Sequence, residues 1–146
     1  YCPIIYNLFP NARIIHCIRN PLDNILSIYR TNFLNQSFSS SLNDTSDLYL
    51  YHLELMKEYK SKFGSRIYSY DHENAVRNSK ETIQDLINWL GWEWSEKYLS
   101  PQNSKRSVFT ASSVQVRKKI NPNSSGYWKK YKELLEPISE LFPTYN

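Results

Sequence analysis

The spacing of apolar residues changes along this chain between a strand-like and a helix-like pattern. Apolar-rich runs over residues 13–18 and 66–70 are short and are typical of buried parallel strands. Apolar residues at helical spacing predict a short helix over 4–8 and longer helices over 21–33, from about 47 to 63, over 80–90 and from about 126, the last of which must bend or restart at Pro137. Strands that alternate with helices predict an α/β fold with a parallel sheet.

Each longer helix is predicted to have one apolar face that packs into the core. Helical spacing selects four sets of side chains for these faces: Leu22, Ile25, Leu26, Tyr29 and Phe33; Tyr49, Leu53, Met56 and Phe63; Ile83, Leu86, Ile87 and Leu90; and Trp128, Tyr131, Leu135 and Ile138. The aromatic residues among them are therefore expected in the core rather than stacked on nucleobases. The polar residues 36–46 are predicted to form a loop.

Local signals predict where two of these helices begin and end. Asn20 can cap a helix whose first residue is Pro21, and Asp23, three residues after the cap, completes a pattern like a capping box. Ser79 is predicted to cap the helix over 80–90, and Gly91 suits a left-handed stop at its end.

Composition favours one compact domain. The chain has 146 residues, of which 40% are hydrophobic, and no apolar run is long enough to span a bilayer. No signal peptide is visible, and the start at Tyr1, close to a buried-looking strand, is expected of a segment of something longer. Cys2 and Cys17 have no metal-site spacing, Cys17 is expected to be a small core residue, and a cytoplasmic location is favoured.

Charge narrows the class of partner. A net charge of +4 and a pI near 9.0 favour an anionic partner. The basic residues concentrate at 105–106, 117–119 and 129–132, whereas zinc-finger spacing, an aromatic RNA-binding motif and a basic heptad helix are all missing from the sequence. A nucleotide is therefore favoured over nucleic acid.

The junction between the first strand and the following helix carries the most distinctive chemistry. Arg19 ends the strand, and Asp23, Ser27 and Arg30 share one helix face at positions i, i+4 and i+7. Arg19 and Ser27 can therefore converge on one phosphate. The alternative is that Arg19 forms an ordinary surface salt bridge.

These residues resemble the 3′-phosphate-binding motif of sulfotransferases that use 3′-phosphoadenosine 5′-phosphosulfate (PAPS). In that family an Arg at the end of a strand and a Ser eight positions later bind the ribose 3′-phosphate, and Arg19 and Ser27 match both the residue types and the spacing. The resemblance implies that these two residues bind the phosphate. Arg30, which helix spacing puts on the same face as Ser27, is a further candidate for nucleotide binding.

Residues 110–131 resemble the C-terminal cofactor loop of bacterial and tyrosylprotein-type sulfotransferases. The resemblance implies that Ser112 or Ser113 contacts the nucleotide, that the backbone around Gln115 lies along it, and that a basic residue, Arg117, Lys118 or Lys119, adds positive charge. Relatives often place a Lys or Arg before the Trp, where this chain has Tyr127, so that contact is lost or comes from Lys129. The alternative is a solvated serine-rich loop.

Residues 66–94 look like the strand, turn and amphipathic helix that lie between these two motifs in the family. His72 stands where relatives usually carry a Tyr that approaches the nucleotide. It either forms a hydrogen bond to the nucleotide, as Tyr would, or is an ordinary loop histidine. The resemblance extends from Phe9 to about Tyr131.

The family resemblance implies a P-loop-kinase-like, three-layer α/β fold in which 1–146 form a single partial domain, the C-terminal portion, with the N-terminal part missing. The implied activity is transfer of a sulfuryl group from PAPS to a hydroxyl or amine of a protein, glycan or small molecule, without a metal. Neither a 5′-phosphosulfate loop nor a catalytic base is recognisable, so the chain alone is expected to be inactive. A non-catalytic module that binds adenosine 3′,5′-bisphosphate is the alternative, and a basic nucleic-acid-binding domain is a third.

Overall fold

The computed structural model describes residues 1–31, 33, 36–104 and 125–143. In this part of the chain, α-helices and strands follow one another as α1 (Cys2–Leu8), β1 (Ile14–Ile18), α2 (Pro21–Thr31), α3 (Leu42–Phe63), β2 (Ile67–Asp71), α4 (His72–Arg77), α5 (Ser79–Leu90) and α6 (Lys132–Ser139). Short 3₁₀ helices lie at Ser37–Ser40, Gly64–Arg66, Glu96–Leu99, Pro101–Asn103 and Tyr127–Tyr131. The order of strands and helices is that of an α/β protein.

The two predicted strands pair in parallel. Their register runs from Ile14 opposite Ile67 to Ile18 opposite Asp71, and these two strands form the whole sheet within the described residues. A parallel pair needs a helical crossover, which α2 and α3 provide. The prediction of a parallel sheet is therefore confirmed.

One face of the sheet is covered by α1 and α3. Tyr6 of α1, Met56 of α3 and Ile67 of β2 form a small buried cluster. The Tyr6 hydroxyl also donates a hydrogen bond to the Arg66 carbonyl at 3.0 Å, and the Arg66 guanidinium lies 4.0 Å from the centre of the Tyr6 ring. These contacts fix α1 to the start of β2.

The opposite face is covered over β2 but not over β1. Tyr68 packs against Trp89 of α5, with ring centroids 5.2 Å apart, and Arg13 donates a hydrogen bond to the Trp89 carbonyl. Ile15 and Cys17, on the same face of β1, are exposed. The expectation that Cys17 is a core residue is wrong, because no described element packs over this part of the strand.

A second core joins α2 to the C-terminal segment, residues 125–143. It consists of the buried side chains of Leu22, Ile25, Leu26, Trp128, Leu135, Ile138 and Phe142. The apolar faces predicted for α2 and for the last helix therefore meet each other. Phe33 is exposed, because α2 ends at Thr31 and not at residue 33 as predicted.

The predicted loop over 36–46 is wrong for most of its length. Ser37–Ser40 form a 3₁₀ helix, and α3 begins at Leu42 instead of near residue 47, because the Ser41 side chain accepts a hydrogen bond from the Asp44 amide at 3.2 Å. Ser39, Thr45 and Ser46 are buried with their hydroxyls bonded to backbone carbonyls. This stretch is part of the packed structure.

Other helix boundaries agree more closely with the sequence. Gly91 has a φ of 68° and ends α5 as predicted, although Asn78, rather than Ser79, precedes the helix. A short helix, α4, stands where a turn was predicted, and α6 continues through Pro137 for two residues before ending. Within the described residues, no helix is both long and apolar enough to cross a membrane.

Candidate functional site

The candidate site is built where the two parallel strands end. Each strand leads directly into a helix, β1 into α2 and β2 into α4, so we call these the first and second strand–helix junctions. Because parallel strands end at the same edge of a sheet, the two junctions are neighbours, and this edge is where open α/β sheets bind ligands. Of the site residues predicted from sequence, Arg19 lies at the first junction and His72 at the second.

Asn20 organises the start of α2. Its side-chain oxygen accepts a hydrogen bond from the Asp23 amide at 3.1 Å, which confirms the predicted cap. The capping box is wrong in its second half, because the Asn20 amide donates to Glu73 Oε2 at 3.2 Å and not to Asp23. The Glu73 carboxylate of the second junction therefore accepts the hydrogen bond that the capping-box pattern predicts for Asp23.

Glu73 connects the two junctions. While its Oε2 binds the Asn20 amide, its Oε1 lies 3.7 Å from His72 Nδ1. The His72 side chain remains 36% exposed, so the imidazole is accessible from solvent beside this carboxylate. His72 and the start of α2 are thus brought together through one side chain.

Asp23 is the most deeply buried acidic residue of the site, with 2% of its surface exposed. Its Oδ2 accepts a hydrogen bond from the Gly126 amide at 2.6 Å, and its Oδ1 accepts one from the Trp128 amide at 2.7 Å. Gly126 adopts a φ of 73°, a left-handed conformation that suits glycine. The carboxylate therefore fixes the beginning of the C-terminal segment against the first turn of α2.

Arg19 and Ser27 lie on either side of that first turn. Arg19 directly follows β1, is half-buried, and accepts a hydrogen bond from the Tyr49 hydroxyl through its carbonyl at 3.1 Å. Ser27 lies one turn after Asp23 and is exposed, and its carbonyl accepts a bond from the Thr31 hydroxyl at 2.7 Å. The hydrogen bond from Tyr49 ties the strand end that carries Arg19 to α3.

Arg30 contacts the C-terminal segment at the other end of the same helix face. Its guanidinium lies 5.3 Å from the centre of the Tyr127 ring and 5.8 Å from that of Tyr131. The two tyrosine hydroxyls are 3.4 Å apart, and this contact, together with Arg30 and Lys130, lowers the pKa of Tyr127. The Arg30 guanidinium therefore packs over two aromatic rings, one turn of the helix after Ser27.

Five of the site residues predicted from sequence lie outside the described residues: Ser112, Ser113, Gln115, Arg117 and Lys118. Their assignment remains a prediction from the family resemblance. They precede Gly126 in the chain, so the segment that Asp23 holds is the continuation of the stretch that contains them.

A pair of histidines lies behind the first junction, between β1 and α3. His16 Nε2 and His52 Nε2 are 3.0 Å apart, which is a hydrogen bond when one ring donates and the other accepts. Burial, with Lys60 and His52 nearby, lowers the pKa of His16 from 6.5 to about 4, and burial and Lys60 lower that of His52. Both rings are therefore held in the neutral form near pH 7.

Two sets of contacts in the candidate site, those of Asp23 and of Glu73, were missed by reasoning from the sequence. The partners of Asp23 lie more than a hundred positions away along the chain, so no local pattern could identify them. Glu73 could have been recognised because it follows the second strand by two residues and so reaches the same edge as Arg19. No group of three or more potential metal ligands occurs in the part of the chain that the structure describes.

Comparison with known proteins adds to this geometry. A model of the sulfotransferase family matches residues 1–96, which include both strand–helix junctions. An uncharacterized protein of Aquifex aeolicus (strain VF5) is 32% identical over 145 residues, which is 97% of this chain. The chain spans 19% of the length of that curated relative.

Proposed function

The chain belongs to the sulfotransferase family, and from that premise we propose that it binds the nucleotide of a sulfuryl donor, PAPS, for transfer of the sulfuryl group to a hydroxyl or amine. The observation that carries the proposal is the first strand–helix junction. There a strand-end arginine, Arg19, leads into a helix that presents an exposed serine, Ser27, two turns along. In this proposal the guanidinium and the hydroxyl bind the ribose 3′-phosphate.

The charge distribution at the junction supports binding of an anion. Asp23 in the first turn of α2 and Glu73, which binds the Asn20 amide, both accept hydrogen bonds from backbone amides. Charge-assisted hydrogen bonds of this kind offset part of the negative charge that a phosphate would otherwise meet. The Arg30 guanidinium adds positive charge on the same helix face as Ser27.

The phosphate contact is proposed to come from side chains more than from the helix N-terminus. Two amides of this turn, those of Asn20 and Asp23, are already bonded to Glu73 and to the Asn20 side chain. The planar guanidinium of Arg19 can present two parallel N–H groups to a phosphate, which a lysine cannot. Arginine at position 19 is therefore expected to matter beyond its charge.

The remaining assignments extend this proposal to the nucleotide as a whole. His72, beside Glu73, is proposed to form a hydrogen bond to the nucleotide, and the stretch with Ser112, Ser113, Gln115, Arg117 and Lys118 is proposed to lie along it. When bound, PAPS supplies the activated sulfuryl group. The residues of this chain hold and orient the nucleotide, and a rigidly held donor lowers the entropic part of the barrier to transfer.

We further propose the P-loop-kinase-like fold for the complete domain, of which 1–146 would be the C-terminal portion. Proteins, glycans and small molecules are all acceptors compatible with this proposal. Two-stranded parallel pairing and helices on both faces of β2 are compatible with such a fold.

Binding of adenosine 3′,5′-bisphosphate, the product that PAPS leaves after transfer, tests the proposal by calorimetry. Replacing Arg19→Ala should weaken binding about 10- to 100-fold, since a charge-assisted contact contributes roughly 1.5–3 kcal/mol. Arg19→Lys should recover only part of the affinity. Arg77→Ala, an exposed arginine at the end of α4, is the matched control and should bind as the unchanged chain does. Equal affinity of a folded Arg19→Ala variant would refute the assignment.

A further inference from the structure

We propose that Asp23 is a positioning residue that couples nucleotide binding at α2 to the C-terminal segment. It does not itself contact the nucleotide. Its carboxylate holds the Gly126 and Trp128 amides, and so sets where residues 125–131 lie relative to Ser27 and Arg30. The inference rests on the proposed function, since it concerns the same nucleotide site.

The first argument is that the contact is strong and specific. Both oxygens of one buried carboxylate are used, by two amides of one segment at 2.6 and 2.7 Å. The hydrogen bond between the Trp128 amide and the Asp23 carboxylate is buried. Loss of the carboxylate would therefore leave this amide without an acceptor, and burial would keep water from replacing it. An asparagine at position 23 has one acceptor oxygen where the carboxylate has two, so it cannot reproduce both hydrogen bonds.

The second argument is that the C-terminal segment contacts one face of α2 at two points. Asp23 binds Gly126 and Trp128, and Arg30, seven residues later, lies over the rings of Tyr127 and Tyr131. Ser27 lies between these two points on the same face, and its side chain is exposed. A phosphate bound to Ser27 would therefore lie beside the segment that Asp23 holds.

The third argument is one of conformational entropy. The Asp23 carboxylate fixes Gly126 and Trp128 next to the helix that carries Ser27. If this contact is lost, residues 125–131 have to be ordered again beside Ser27 when a phosphate binds there, which costs conformational entropy. The affinity for the nucleotide then falls, although every proposed contact residue is intact.

The test compares Asp23→Asn with Asp44→Asn. Asp44 is a matched control because it occupies the same position in α3 as Asp23 does in α2. The Asp44 amide donates to the capping Ser41 side chain, as the Asp23 amide does to Asn20, but the Asp44 side chain is exposed. Both substitutions remove an acidic charge from the first turn of a helix, but only Asp23→Asn disturbs the bonds to Gly126 and Trp128.

Two quantities are measured on each folded variant: hydrogen exchange of the Gly126 and Trp128 amides, and the Kd for adenosine 3′,5′-bisphosphate. In Asp23→Asn we expect exchange at these amides to accelerate by about 10-fold or more, since one hydrogen bond to a charged acceptor is lost. We expect the Kd to rise about 5- to 30-fold, since residues 125–131 are then held less firmly beside Ser27. Asp44→Asn should change neither quantity. Gly126→Ala, which strains the left-handed turn from the other side of the contact, should raise the Kd by a smaller factor and covers the case in which Asp23→Asn does not fold.

Each result decides the proposal. Faster exchange with an unchanged Kd would make Asp23 merely structural and would overturn the coupling, as would unchanged exchange in Asp23→Asn. If the unchanged chain does not bind the bisphosphate at all, the proposed function fails, and the coupling fails with it. That result differs from the others because it appears in the unchanged chain and not in the variant.

Discussion

The two strand–helix junctions have the same local design and different surroundings. At each, a polar residue at the end of the strand or shortly after it accepts a hydrogen bond from the amide three residues later: Asn20 from Asp23 at 3.1 Å, and Asp71 from Asn74 at 2.9 Å. At the first junction Asp23, in the first turn of the helix, is buried and bonded to a distant segment. At the second junction Asp71, the cap itself, is exposed. The comparison shows that capping is a local property, while the candidate site arises from tertiary contacts.

The largest difference between the junctions is expected for their acidic side chains. Asp23→Ala leaves the Gly126 and Trp128 amides without an acceptor, so the free energy of unfolding should fall by about 2–5 kcal/mol. Asp71→Ala removes only a cap and should cost about 1 kcal/mol. Urea denaturation of both variants measures the difference, and equal losses would mean that the two hydrogen bonds of Asp23 stabilise the fold no more than one helix cap does.

The strands themselves should differ in their response to acid. His16 in β1 faces His52, whereas its register partner in β2 is Ser69. Because the pKa of His16 falls from 6.5 in the unfolded chain to about 4 in the folded one, the unfolded chain binds more protons between these values. The stabilisation is complete above pH 6.5 and is lost as the pH falls towards 4.

The loss over this interval should reach up to about 3 kcal/mol, and the lowered pKa of His52 acts in the same direction. Denaturation between pH 7 and pH 4 checks this in the unchanged chain and in His16→Gln, which should lose less stability on acidification. Ser69→Asn is the control and should follow the unchanged chain. Parallel pH curves for His16→Gln and the unchanged chain would contradict the assignment.

The smallest difference is expected where the junctions are alike. Asn20→Ala and Asp71→Ala each remove a side-chain oxygen that accepts one amide hydrogen bond, so both should lower the free energy of unfolding by about 1 kcal/mol. Thermal or urea denaturation measures both. A much larger loss for Asn20→Ala would show that the cap at the first junction also supports the contact between its amide and Glu73.

The parts of the fold that depend on local signals were predictable from the sequence. Both strands, the Asn20 cap and the Gly91 stop follow from short patterns of apolar, capping and glycine residues. Ser41, three residues before Asp44, also signals the early start of α3, although the polar residues around this pair predict a loop.

The parts that depend on distant contacts could not be predicted. Whether a residue of β1 is buried depends on which elements cover that face, so the apolar pattern failed for Cys17 and Ile15. Likewise, the burial of Asp23 depends on Gly126 and Trp128, which only the folded chain brings to it. Arg19 and Ser27 could be proposed early because they lie eight positions apart, directly after one strand and in the helix that follows it, and this spacing matches the family motif.

The most direct test of the central claim compares two ligands on two proteins. Calorimetry should show that the unchanged chain prefers adenosine 3′,5′-bisphosphate over adenosine 5′-monophosphate by about 10- to 100-fold, the value of a charge-assisted phosphate contact. In Arg19→Ala this preference should largely disappear, while affinity for the monophosphate should change little. If Arg19→Ala keeps the full preference, or weakens both ligands equally, the first strand–helix junction does not bind the 3′-phosphate.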